Sequence, residues 1–144
     1  MKKVIAFIAV GIMGITGAFA GEYPDVSIKE VKEAIKGKTA TIIDVNGAES
    51  YAKGHVPGAI DYSASKSDLA KVLPKEKDAL IIAYCGGPAC SAYQAAAKAA
   101  KDLGYTNVKH MSAGISGWTQ AGEKTEAAKG KKERKNKKEK KDAQ

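Results

Sequence analysis

The feature that most limits how this chain can fold is the run Ala79-Leu80-Ile81-Ile82-Ala83-Tyr84, which ends directly at Cys85-Gly86-Gly87-Pro88-Ala89-Cys90-Ser91. A short, continuous apolar run bounded by turn residues predicts a strand buried on both faces, hence the centre of a sheet. Residues 91 to 103 then predict a helix, with Ala92, Ala96, Ala99 and Leu103 on one face and small enough to let it pack closely on that sheet. A buried strand, a tight loop and a helix in that order form the repeating unit of an α/β domain.

The flanking segments repeat the alternation. Ser27-Ile28-Lys29-Glu30 is a capping-box pattern; Ile28, Val31 and Ile35 form an apolar stripe, and Gly37 closes the helix. Ala40 to Val45 predicts a second doubly buried strand that includes Asp44 near its end, and residues 48 to 53 a short helix broken by Gly54. Gly58 to Tyr62 predicts a short strand. Ser65 to Asp68 caps a helix that stops before Pro74, Asn107 to Met111 predicts a further strand, and Ile115 to Ala121 a last short helix. The expected fold class is α/β with a largely parallel sheet, whose ligands gather at the carboxyl ends of the strands. Cys85 sits at such an end.

Both ends of the chain differ from this body. Residues 1 to 20 combine the basic start Met1-Lys2-Lys3, an apolar run from Val4 to Ile15 and Ala18-Phe19-Ala20, the three parts of a secretory signal peptide cleaved after Ala20. The expected compartment is the periplasm. Residues 21 to 122 hold 12 basic and 11 acidic residues, a net +1, whereas residues 123 to 144 hold 10 basic and 5 acidic, a net +5. The chain's total of +8 is therefore concentrated in its ends, and the body has no electrostatic footprint for a nucleic acid. From Glu123 onward, apart from Thr125, β-branched and aromatic residues are absent, which predicts a disordered or loosely helical Lys-rich tail that solvates the domain or touches acidic surfaces.

The chemistry is concentrated in residues 85 to 91. A Gly-Gly loop entering a helix can turn its backbone N–H groups inward, and a sulfur projecting into such a nest ionises more readily than a free thiol. Cys85 is the candidate nucleophile, and the backbone N–H groups of Gly86 through Ser91 are its expected cradle. The alternatives are a buried structural thiol or an inert Cys85-Cys90 disulfide, which needs the two α-carbons within about 7 Å. Two cysteines without a recognised histidine spacing do not make a zinc site, so no metal is expected.

Asp44-Val45, then Gly54-His55-Val56-Pro57-Gly58-Ala59-Ile60, then Cys85 in its loop, then Gly114-Ile115-Ser116-Gly117-Trp118 resemble the single-domain rhodanese pattern in order and spacing. The resemblance extends over nearly all of residues 26 to 122, so residues 21 to 122 are taken as the domain. It implies a three-layer α/β domain with a small, mostly parallel central sheet flanked by helices. It also implies a sulfurtransferase without a cofactor: the Cys85 thiolate takes the outer sulfur of a small sulfane donor, holds it as a persulfide, and passes it to a thiol or a cyanide-like acceptor. The six residues from Cys85 to Cys90 match the loop length of the sulfur-transferring members; phosphatase-like members have one more.

The departures from the pattern are informative. Many members have a basic residue where this chain has Cys90, a glycine where it has Pro88, and an arginine where it has Asn46. The loop therefore has no positive side chain, and thiosulfate, a doubly charged donor, would meet only backbone dipoles. Cys90 instead offers a resolving thiol that attacks the Cys85 persulfide, releases sulfide and leaves a disulfide for a redox partner protein. His55 is expected to fix its turn by hydrogen bonding, Asp44 to cap a nearby amide, and Trp118 to form core or a pocket wall. Two further readings stay open: a non-catalytic sulfur-carrier or docking module, and a thiol-disulfide oxidoreductase using the Cys85 and Cys90 pair.

Overall fold

The computed structural model describes residues 23–128. Both the signal sequence expected over residues 1 to 20 and the tail beyond residue 128 lie outside the described residues. The element order is α1 (Ile28–Gly37), β1 (Ala40–Asp44), α2 (Ala48–Lys53), β2 (Ile60–Asp61), α3 (Tyr62–Ser65), a 3-10 turn (Lys66–Asp68), α4 (Leu69–Val72), β3 (Leu80–Tyr84), α5 (Tyr93–Asp102), β4 (Val108–His110) and α6 (Gly114–Gln120). The four strands form one parallel sheet in the order β2-β1-β3-β4, with Ile42 opposite Ile82 and Asp44 opposite Tyr84. The two most apolar strands, β1 and β3, are the central ones.

Side-chain alternation along β1 and β3 divides the core into two layers. Ile42, Ile82 and Tyr84 face α1 and α6, where they meet Val31, Val56 and Trp118. Ile43, Ile81, Ala83 and Cys85 face α4 and α5, packing on Leu69, Leu73, Tyr93, Ala96, Ala97 and Ala100. This is the expected three-layer α/β domain, and it directs the Cys85 side chain toward α5.

Several elements depart from expectation in detail. The capping box of α1 forms, with Glu30 N–H donating to Ser27 Oγ and Ser27 N–H to Glu30 Oε2. Gly37, however, is still helical, and the left-handed residue that ends α1 is Lys38, at φ 52°. The buried face of α5 is Tyr93, Ala96, Ala97 and Ala100; Ala92 is exposed, and Ala99 and Leu103 are half-buried. Alanines surround this helix, so its apolar period is ambiguous, and the large Tyr93 sets the rotation. The helix expected from Ser65 begins earlier, at Tyr62, where the Asp61 side chain accepts from Ser63 N–H, and reaches Val72 through the 3-10 turn.

The chain segments at both boundaries join the fold. Residues 24–26 pair with the outer edge of β4, with Val26 N–H donating to His110 O and His110 N–H to Pro24 O, and Tyr23 is buried beneath them. At the other end, residues 123–128 lie against the turn around His55. The domain therefore extends past Gly122, and the tail that was expected to begin at Glu123 starts with six ordered residues.

Candidate active site

Cys85 follows the last residue of β3 and is 3% exposed. Its loop is held from the far side by the start of α6: Ile115 N–H donates to Cys85 O at 2.9 Å and Ser116 N–H to Gly86 O at 3.0 Å. This contact explains the glycine that opens Gly114-Ile115-Ser116-Gly117-Trp118. Gly114 has φ 60°, and a Cβ there would lie 2.5 Å from both Cys85 O and Gly87 N. Neither Gly86 nor Gly87 is left-handed, contrary to the expected role of the pair. At Gly87 a Cβ would come within 2.6 Å of Ser116 Oγ, the end of a side chain that can rotate away, whereas the nearest atom to a Cβ on Gly86 is Asn46 Oδ1 at 3.7 Å.

The two cysteines are joined as a disulfide, their α-carbons 6.3 Å apart. In this state the expected cradle is incomplete. Pro88 has no N–H to give, and Cys90 N–H donates to Gly87 O at 3.0 Å, closing a turn over Pro88 and Ala89. The Cys90 carbonyl oxygen lies 3.2 Å from Cys85 Sγ, which is unfavourable beside an anionic sulfur. The donors still available to a persulfide are the N–H groups of Gly86, Gly87, Ala89 and Ser91, once the loop turns them inward. Outside the loop is an open depression of about 380 Å³ lined by Gly86, Gly87, Pro88, Ala89, Cys90 and Ser116, with no charged side chain. Cys90 lines it and Cys85 does not.

A buried polar network supports the same strand ends from the opposite face. Asp44 Oδ1 accepts from Asn46 N–H at 2.7 Å and Asn46 Nδ2 at 2.9 Å, so Asp44 caps the amide two residues on. Its Oδ2 accepts from Tyr84 OH at 2.5 Å, and Tyr84 OH in turn accepts from Val56 N–H at 2.9 Å. Burial, then the hydrogen bond to the Asp44 carboxylate, push the Tyr84 phenol far above its ordinary pKa. Tyr84 is the residue that the sequence reading passed over. The signal was Asp44 itself: a carboxylate in a strand buried on both faces needs a donor, and register places Tyr84 opposite.

The remaining candidates have other partners. His55 is buried, stacks on Tyr51 with ring centroids 3.7 Å apart, and its Nδ1 is 2.8 Å from Tyr51 O. Trp118 is buried in the layer opposite Cys85, where it walls a cleft of about 310 Å³ with Ile35, Pro57 and Lys124. Ser91 is exposed and its carbonyl accepts from Gln94 N–H as α5 begins.

The model of the rhodanese-like domain matches residues 27–121. The chain belongs to the rhodanese-like family. The chain is 37% identical over 83 residues to an HTH-type transcriptional regulator of Mycobacterium tuberculosis, a match covering 57% of this chain and 35% of the regulator. The chain thus spans about a third of that curated relative's length. Among solved structures, a Bacillus halodurans protein is 28% identical with a TM-score of 0.58, covering 74% of this chain and 78% of that one. The fold is also that of the human single-domain sulfurtransferase, at 22% identity and a TM-score of 0.52, covering 67% of this chain and 96% of that one.

Proposed function

We propose that this rhodanese-like domain is an exported sulfurtransferase that moves sulfane sulfur through a Cys85 persulfide to a thiol or cyanide-like acceptor. The observation that carries the reading is the position of Cys85: it directly follows the central strand β3 in a family-matched domain, with its loop carbonyls bound by Ile115 and Ser116 N–H. Those bonds turn the loop carbonyls toward α6 and leave amide donors for a terminal sulfur anion. Transfer then proceeds by displacement: the Cys85 thiolate bonds to the outer sulfur of a donor, the donor's sulfinate or sulfite leaves with the bonding pair, and an acceptor nucleophile later takes that sulfur and returns the thiolate. No step calls for a cofactor.

The uncharged depression favours a donor with one negative charge over one with two. Intact-mass measurement on reduced protein tests both points. Benzenethiosulfonate should add one sulfur, about 32 Da, to the wild type and none to Cys85→Ser, and added cyanide should remove it as thiocyanate. Thiosulfate should load at least about tenfold more slowly. An adduct that persists in Cys85→Ser, or no adduct from either donor, would overturn the reading.

The location follows from the signal-like residues 1 to 20, which point to the periplasm, and the Lys-rich residues beyond 128 suit contact with acidic surfaces. A second reading, a thiol-disulfide oxidoreductase, rests on the Cys85-Cys90 pairing; it requires turnover against a dithiol in the absence of any sulfane donor.

A further inference from the structure

We propose that the Cys85-Cys90 disulfide is a gate on the persulfide site with a fixed direction of opening: an external thiol attacks Cys90 and expels Cys85 as the thiolate. The proposal rests on the sulfurtransferase reading, and names what must act before the first sulfur can be loaded.

The direction follows from where each sulfur can be approached. Displacement at a disulfide is in line, with the attacking thiolate entering opposite the leaving sulfur, so access decides which sulfur is attacked. Attack on Cys85 is opposed by its burial: the residue is 3% exposed and belongs to the core cluster that includes Ile43, Ala83, Tyr93 and Ala96. Cys90 is only half-buried and lines the open depression beside the exposed Pro88 and Ala89. That depression has no charged side chain, so it admits a thiol on the strength of shape alone and sets no requirement for an anionic carrier.

The chemistry balances with thiols as the only co-reactant. A thiolate RS⁻ bonds to Cys90 Sγ, the Cys85-Cys90 bond breaks, and its electron pair leaves on Cys85, giving Cys90-S-S-R and Cys85-S⁻. A second thiolate then bonds to the R sulfur, releases R-S-S-R and leaves Cys90 as thiolate, so two thiols are oxidised and one disulfide reduced. The first step alone creates the nucleophile. It also breaks the covalent link that holds the Cys90 carbonyl 3.2 Å from Cys85 Sγ, and frees the loop to present its N–H groups. Reversal of the gate protects the thiolate in an oxidising compartment.

Glutathione is a suitable probe. The full chain purified without reductant is exposed briefly to glutathione, quenched with an alkylating agent, and the peptide containing both cysteines is sequenced by mass spectrometry. Glutathione should be found on Cys90 and the alkyl group on Cys85, by at least tenfold over the reverse. Equal labelling, or glutathione mainly on Cys85, overturns the direction. In parallel, oxidised wild type, reduced wild type and Cys90→Ser are offered benzenethiosulfonate, which donates sulfur without being a thiol. The oxidised protein should load at under a tenth of the rate of the reduced wild type, and equal rates overturn the gate. If neither reduced wild type nor Cys90→Ser loads while glutathione still maps to Cys90, the sulfurtransferase reading fails and the directed exchange stands.

Discussion

Tyr84 OH both donates to Asp44 Oδ2 and accepts from Val56 N–H, so removing it takes the hydrogen bond from that carboxylate oxygen and from the Val56 amide. Tyr84→Phe should cost about 1–3 kcal/mol, a fall in Tm of about 4–8 °C per kcal/mol for a domain of this size, read by thermal melting. The raised phenol pKa has a pH signature as well. Above about pH 10 the unfolded chain releases this proton and the folded domain keeps it, so the stability tied to Tyr84 is complete below pH 10 and is lost as pH rises, by up to about 1.4 kcal/mol per unit. Urea titrations from pH 9 to 11 should show a shallower alkaline decline in Tyr84→Phe; identical slopes would mean that another tyrosine carries it. Cys90 is the second residue with a separable role. If its thiol resolves the persulfide, Cys90→Ser should lengthen the lifetime of the sulfur adduct on reduced protein at least about tenfold, and an unchanged lifetime would remove that role.

The junction of α6 with the Cys85 loop can be tested glycine by glycine. Gly114 combines a left-handed φ with backbone atoms 2.5 Å from where a Cβ would sit, so Gly114→Ala should destabilise by about 2–4 kcal/mol and slow sulfur loading by displacing the loop. Gly87→Ala meets only the end of the Ser116 side chain, which can rotate, and Gly86→Ala meets ordinary contact distances. Melting temperatures should therefore rank Gly86→Ala highest and Gly114→Ala lowest, and any other order would show that the loop is not held as described. The same junction shows what could be read in advance. The apolar runs of β1 and β3 and the capping box of α1 were legible because burial and hydrogen bonding leave direct marks on residue type. The rotation of α5 was not, because alanine fits either face. The conformational demand assigned to Gly86 and Gly87 belongs to Gly114, 27 positions beyond Gly87, and no local pattern marks a close approach between segments so far apart.

At the scale of the whole molecule, the composition change at Glu123 does not mark the end of the packed residues, for a physical reason. Composition registers apolar burial, whereas residues 123–128 are held by polar groups. Trp118 Nε1 donates to Lys124 O, His55 and Glu126 exchange both backbone hydrogen bonds, Gly58 N–H donates to the Glu126 carboxylate, and Ala128 N–H donates to Ala52 O. Lys32 and Glu123 add an ion pair of small worth, since the Lys32 side chain is 44% exposed. The strap closes over the turn that contains His55 and Val56, and Val56 N–H is the donor to Tyr84, so it supports the strand-end network from outside. Each hydrogen bond contributes about 0.5–1.5 kcal/mol, offset by the entropy of ordering six residues. Ending the chain after Gly122 strands the buried Trp118 N–H and should cost about 1–3 kcal/mol relative to a chain ended after Ala128, or roughly 4–24 °C. Equal melting temperatures for the two truncations would place the boundary back at Gly122. A loss shared by both would move it beyond Ala128, into the Lys-rich residues. The expected difference, with sulfur loading retained in the longer truncation, separates a strap that belongs to the fold from a basic extension that acts outside it.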